Sequence, residues 1–212
     1  IPGTAFTHIL GGLKEGRREV EMALELEHYR RSHGADGMAF ETIAVCGANS
    51  SLPHGVPGGN RLKKGDLLTM DYGAKYKGYC SDMTRTVALG KPSDKMWHVY
   101  ETVLKAQLAA LEIIKPGVVC KDVDKVARDL IDSSPYKGAF GHGLGHAVGL
   151  AIHENPRFSQ ADDTVLEPGL VLSVEPGIYL PGEFGVRIED VVVLTEDGHR
   201  NLMNSPKELI VL

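Results

Sequence analysis

The chain has 212 residues, 42% hydrophobic and 24% charged, with a formal net charge of −5 from 23 basic and 28 acidic side chains. That length and balance belong to a folded domain with a sizeable core and exclude a low-complexity or disordered chain. No basic patch or tail offers a nucleic-acid surface, and no apolar run is long enough to span a membrane. No signal peptide is visible in the sequence, and the three cysteines, Cys46, Cys80 and Cys120, form no C-x-x-C pair. These features point to a reduced, cytoplasmic protein.

Residues 4–33 read as helical, with Glu19, Glu21, Glu25 and Glu27 interleaved with Val20, Leu24 and Tyr29, and Gly34 as a stop. The run FETIAVCG predicts a strand, and residues 49–60 form a loop rich in Ser, Pro and Gly. Strands follow at about 67–74 and 79–89, and the short K-Y-K-G link makes them a hairpin. Helical stretches cover 93–114 and 121–131, divided by Pro116-Gly117. Beyond them the chain is glycine-rich and β-like. Residues 170–175 and 186–194 predict an antiparallel pair, and 208–212 a last short strand. A weak repeat accompanies this order. AFTHILGGLKEG from Ala5 matches the pattern of AQLAALEIIKPG from Ala106, and an acidic-rich amphipathic helix follows each. The expectation is one domain, 1–212, of two similar α+β halves around a shared sheet, about a hundred residues apart.

Five residues stand out as charges in unusual places. Asp71 interrupts LLTMDYG, Asp82 lies in YCSDMTRT, His146 ends GHGLGH, Glu175 follows LVLSV, and Glu189 sits in GVRIEDVVVL. A carboxylate in a buried strand is costly unless a cation compensates it. Taken singly, each reads as a salt bridge or a strand-end charge. Taken together, four clustered carboxylates would repel and raise one another's pKa, whereas a pair of divalent ions about 3.5–4 Å apart would keep all of them ionised. Four oxygens and one nitrogen lean toward Mn²⁺, although Co²⁺, Fe²⁺ and Zn²⁺ fit the same donors. Strand alternation puts Arg187 on the face of Glu189, and Ser173 on that of Glu175. His54, His142, His146 and His153 lie in loops beside small or β-forming residues, whereas His28, His33 and His98 sit in polar helices and read as surface residues. There is no H-E-x-x-H helix, Walker loop or G-x-S-x-G elbow, and no cysteine has an obvious base partner.

The segments PHGVPGGNRLKKGDLLTMDYGAKYKGYCSDMTRT, GHGLGHAVGLAIHENP and PGLVLSVEPGIYLPGEFGVRIEDVVVLT resemble the pita-bread metallopeptidases, which include methionine aminopeptidase, aminopeptidase P and prolidase. The resemblance covers essentially the whole chain from about Gly11. It implies an α+β fold of pseudo-twofold halves, with helices packed on a curved, mainly antiparallel sheet. It also implies two metal ions: Asp71 would bind one through both oxygens, Asp82 and Glu189 would bridge, and His146 and Glu175 would complete the second site. Glu175 would double as general base. His54 and His153 would contact substrate and stabilise the tetrahedral intermediate, and Arg187 would brace the site by an ion pair and steer a substrate carboxylate. His142 and Tyr179 would line a proline pocket.

GHGLGHAVGLAIHE and GEFGVRIED, with an arginine two residues before the last glutamate, resemble the Xaa-Pro branch. The implied reaction is hydrolysis before proline, by an Xaa-Pro dipeptidase or, on longer peptides, an aminopeptidase P. A non-catalytic peptide-binding module is the third reading, disfavoured because all five ligands are present. The family's usual N-terminal domain is expected to be absent here, and a homodimer is expected of the full-length protein.

Overall fold

The computed structural model describes residues 1–212. Its first half opens with two helices where the sequence reads one. Helix α1 (Pro2–Leu10) ends at Gly11-Gly12, Gly16 turns the chain with φ of +88°, and α2 (Glu19–Ser32) begins anew. Glycine propagates a helix poorly, so the rod becomes a pair. Ala5, Phe6 and Ile9 of α1 share a core with Met22 and Leu26 of α2.

Strands β1 (Gly37–Met38), β2 (Ile43–Cys46), β3 (Leu67–Asp71), β4 (Ala74–Tyr76), β5 (Tyr79–Cys80) and β6 (Thr84–Ala88) complete this half, with a 3₁₀ turn at Gly47–Ser51. They form two small antiparallel sheets, β2-β3-β6 and β1-β4-β5. The predicted hairpin is therefore divided. β3 pairs with β6 from Leu67↔Ala88 to Asp71↔Thr84, and the tip departs as β4 and β5. The division falls at Gly73, where a Cβ would lie 2.0 Å from the Ser81 carbonyl oxygen, so the crossing admits only glycine.

The second half repeats the plan. Helices α3 (Asp94–Ile113) and α4 (Cys120–Asp132) precede β7 (Gly145–Ala147), β8 (Glu154–Phe158), β9 (Val171–Val174), β10 (Gly177–Leu180), β11 (Phe184–Arg187), β12 (Asp190–Leu194) and β13 (His199–Asn201). A five-stranded antiparallel sheet runs β13-β12-β9-β7-β8, and β10-β11 is a separate hairpin. The predicted pairing of 170–175 with 186–194 is present between β9 and β12, in the register Asp190↔Val174. The second strand breaks at Ile188-Glu189, because Glu189 gives its N–H to the Thr84 carbonyl of the other half (3.1 Å). Residues 208–212 form no strand; Val211 makes one isolated parallel bridge to Ala88.

The internal repeat is visible in matched hydrogen bonds. Gly16 N–H binds Leu62 O at 2.8 Å and Leu62 N–H binds Arg17 O at 2.9 Å; in the other half Gly117 N–H binds Leu166 O at 2.9 Å and Leu166 N–H binds Val118 O at 2.8 Å. Gly16 and Gly117 share a left-handed φ, +88° and +90°. Later in each half, Gly65 N–H binds Leu89 O and Gly169 N–H binds Leu194 O. In this correspondence Asp71, the last residue of β3, matches Glu175, the residue after β9. The halves do not share one continuous ladder, as the sequence reading expected. Each keeps its own sheet, and they meet where Arg187 and Thr86 exchange hydrogen bonds: Arg187 N–H to Thr86 Oγ1 (3.2 Å) and Thr86 Oγ1 to Arg187 O (3.0 Å). No helix is long and apolar enough to cross a membrane.

Candidate metal centre

The seam between the halves opens into a cavity of about 620 Å³, lined among others by Asp71, Asp82, His142, His146, Glu175 and Arg187. Asp71 closes β3, Asp82 precedes β6, His146 lies in β7, Glu175 follows β9, and Glu189 occupies the break between β11 and β12. All five predicted ligands thus converge from both halves. His146 Nε2 lies 3.3 Å from Glu175 Oε1 and 3.6 Å from Asp82 Oδ2. Asp82, His146 and Glu189 offer donor atoms within 4.8 Å of one another.

The local backbone explains how His146 is aimed. β7 carries a bulge between His146 and Ala147, a device that redirects a side chain at the cost of one pairing. Gly145 lets β7 press against β9, since a Cβ there would lie 2.0 Å from the Ser173 carbonyl oxygen. Ser173 Oγ accepts the His146 N–H (3.0 Å) and donates to Glu175 Oε1 (3.1 Å), as the shared face of Ser173 and Glu175 predicts. His146 Nδ1 lies 3.1 Å from Ala147 O. A carbonyl only accepts, so Nδ1 carries the proton and Nε2 is the nitrogen that meets the carboxylates.

The electrostatics ask for cations. Asp71 Oδ1, Asp82 Oδ1 and Glu189 Oε1 are buried with no hydrogen-bond partner. Burial pushes the carboxyls of Asp82 and Glu189 well above their ordinary range, and neighbouring carboxylates add to the rise. Burial also raises Asp71, against the opposing charge of Arg187. Glu175 behaves differently. Burial opposes its ionisation, but the hydrogen bond and charge of His146 and the charge of Arg187 outweigh it and hold the carboxyl below its ordinary range. Three orphaned oxygens around an aimed imidazole fit divalent metal ions of the kind carboxylate-rich sites hold.

A second chain of contacts braces this cluster. Arg187 is 3% exposed. Its Nη2 donates to Asp71 Oδ2 (2.6 Å), Nη1 to the Tyr179 hydroxyl (2.8 Å) and Pro53 O (3.1 Å), and Nε to Thr84 Oγ1 (3.1 Å). Thr84 in turn donates to Glu189 Oε2 (2.7 Å). His142 Nδ1 donates to Gly143 O (2.8 Å), so Nε2 accepts from the Tyr179 hydroxyl at 2.8 Å. Burial lowers the His142 pKa and raises that of Tyr179 to about 12, which keeps both neutral.

Residues 1–196 match the sequence profile of Metallopeptidase family M24. The chain belongs to that family. It is 48% identical over 198 residues to an Xaa-Pro dipeptidase of Pyrococcus furiosus, covering 93% of this chain and 57% of that protein. An Xaa-Pro dipeptidase structure from Bacillus anthracis superposes with a TM-score of 0.98 at 47% identity, over 100% of this chain and 59% of the other. An X-Pro aminopeptidase from Thermotoga maritima MSB8 superposes with a TM-score of 0.96 at 44% identity, over 99% of this chain and 59% of the other. The pita-bread fold expected from the sequence is therefore the fold of this M24 chain. The chain spans about three-fifths of the length of these relatives.

Within the M24 site, the other predicted residues take distinct places. His54 and His153 stand exposed on the cavity wall, and the His153 ring meets the His146 ring edge-on at 4.4 Å. Tyr179 and Glu189 are buried behind the wall and do not line it. His28 and His98 are exposed on their helices, and His33 is exposed at the C-cap of α2. The ion pair expected of Arg187 is present, and four of its five side-chain N–H groups are taken by Asp71, Tyr179, Pro53 and Thr84.

Two residues escaped the sequence reading. Thr84, the link between Arg187 and Glu189, follows Asp82 by two positions in β6, and strand alternation could have found it. Arg157 lines the cavity and makes no ion pair. It stands across from His146 in the β7–β8 register, which no local motif in HENPRF reveals.

Proposed function

We propose that this M24 chain hydrolyses the peptide bond before proline in Xaa-Pro dipeptides, using two divalent metal ions held by Asp71, Asp82, His146, Glu175 and Glu189. The observation that carries the reading is the set of three buried, unpartnered carboxylate oxygens gathered with His146 at the seam of the halves. Mn²⁺ suits this oxygen-rich donor set best. When bound, the ions supply Lewis acidity toward the scissile carbonyl and make water nucleophilic at neutral pH.

The chain's own residues supply the rest. Glu175, held ionised at neutral pH, is positioned by Ser173 to accept the proton of the attacking water. His54 and His153 face the cavity, where an imidazole N–H can bind the developing oxyanion. Asp82 and Glu189 would bridge the ions and Asp71 would complete one site, with Arg187 donating to its Oδ2. His142, fixed by the Tyr179 hydroxyl, forms one wall for the proline ring.

A dipeptide is favoured over a longer peptide by Arg157. Its unpaired guanidinium in the cavity, across from His146, matches the carboxylate that a C-terminal proline carries. The test is a rate comparison of Ala-Pro, Ala-Pro amide and Ala-Pro-Ala with defined metals. Ala-Pro should be the fastest, and Arg157→Met should raise its KM about tenfold while leaving the amide nearly unaffected. Faster cleavage of Ala-Pro-Ala would make the enzyme an aminopeptidase P. No bound metal, and no hydrolysis with added Mn²⁺, would make this a peptide-binding module. The three unbridged cysteines fit a cytoplasmic setting, and sedimentation tests the homodimer that the family resemblance implies.

A further inference from the structure

We propose that Asp124 and Arg128 on α4 are positioning residues that clamp the glycine-rich histidine loop and so set the place of His142. A carboxylate–guanidinium pair four residues apart on a helix is ordinarily a weak surface contact. This one is different: the Asp124 side chain is 0% exposed and that of Arg128 16%. The pair is bidentate, with Arg128 Nε on Asp124 Oδ2 at 2.8 Å and Nη2 on Oδ1 at 2.9 Å.

From there it reaches across to alternate residues of the loop. Arg128 Nη1 donates to Phe140 O (2.9 Å) and Nη2 to His142 O (2.7 Å), and Asp124 Oδ1 accepts the Leu144 N–H (3.0 Å). The Phe140 ring packs against the guanidinium at 4.4 Å. The loop needs such a grip. Gly141, Gly143 and Gly145 surround its histidines, residues 140–144 belong to no strand, and glycine loses the most conformational freedom on ordering.

The grip carries on into the metal cluster. Leu144 O accepts the Glu175 N–H at 2.8 Å, so one loop residue joins the clamp to the base. The helix that presents the pair is itself fixed. Cys120 N–H binds Thr164 O and Lys121 N–H binds Asp162 O, and Val123, Ala127 and Ile131 lie in the core. α4 is therefore a rigid backing, and the pair is the contact through which it acts on the site.

The kinetic part of this inference rests on the proposed role of His142 in substrate binding; its structural part does not. Arg128→Lys keeps the cation and loses the fork. In hydrogen exchange, the amides of residues 140–145 should exchange at least about tenfold faster in this variant, with those of α4 unchanged. With Ala-Pro, KM should rise about tenfold and kcat stay within about twofold, and in a His142→Ala background the same change should add less than about twofold. Asp124→Asn, which keeps the acceptor for Leu144, should shift exchange and KM in the same direction by less, and serves if Arg128→Lys does not fold. Unchanged exchange in the loop overturns the clamp. Unchanged KM, or an equal factor in both backgrounds, overturns its action through His142. A wild-type chain that cleaves no Xaa-Pro peptide overturns the proposed function and this kinetic role with it, and loop exchange then decides the clamp by itself.

Discussion

Arg187 Nη2 lies 2.6 Å from Asp71 Oδ2, joining two residues 116 positions apart and the two halves of the molecule. The pairing leaves Asp71 Oδ1 without a partner and commits one Nη2 donor of Arg187 to the cluster. A buried arginine here stabilises a carboxylate cluster, and the exposed Arg157 is the cation proposed to meet the substrate's carboxylate.

Asp82 and Glu189 offer donor atoms within 4.8 Å of each other and of His146. Replacing either by alanine should abolish binding of both ions, because each is proposed to bridge. Metal content by mass spectrometry checks this, and full occupancy of either site in Asp82→Ala or Glu189→Ala would remove the bridging assignment.

Glu175→Gln keeps the size and one oxygen donor but cannot take a proton. We expect kcat to fall by at least about a hundredfold, with thermal stability changed far less. Turnover near the wild-type rate would exclude Glu175 as base.

Metal binding should strengthen with pH. Burial raises the folded pKa of Asp82 and Glu189 above their ordinary values, so the metal-free protein keeps these protons over a range where the unfolded chain has lost them. The stability they contribute is therefore greatest below the ordinary carboxylate range and declines as pH rises toward the folded values. For His146, burial lowers the pKa, but the hydrogen bond and charge of Glu175 outweigh it and raise the value overall. All three must lose protons to bind a cation, so the rise in Tm on adding Mn²⁺ should be larger at about pH 7.5 than at about pH 5.5. Equal shifts at the two pH values would contradict protonation of the metal-free cluster.

Gly145→Ala tests the close approach of β7 and β9. A methyl group 2.0 Å from the Ser173 carbonyl must push the strands apart. The expected cost is about 1–3 kcal/mol in urea unfolding, with metal affinity reduced because His146 is the next residue. An unchanged metal affinity would show that the cluster tolerates this displacement.

Much of this was legible from the chain itself. Helix and strand periods, the Pro116-Gly117 break and the repeat all follow from local patterning, because each is set by residues close in sequence. Asp71, Asp82, Glu175 and Glu189 could be singled out for the same reason, as a charge in an apolar strand is a local anomaly. The errors were of another kind. The first helix divides, the hairpin sends its tip into another sheet, and the strand at 186–194 breaks at Glu189, each where glycine or a cross-half hydrogen bond overrides the local period.

The sequence by itself thus determined the secondary structure types, the family motifs and the candidate ligand set. Only the tertiary structure decided which cation is consumed by Asp71, that Thr84 links Arg187 to Glu189, that Arg157 stands free in the cavity, and that Asp124 and Arg128 hold the histidine loop. The physical reason is that a charge's role depends on its partners and its burial. Both are set by strand register and by the seam between two halves far apart in the chain, which no local pattern encodes.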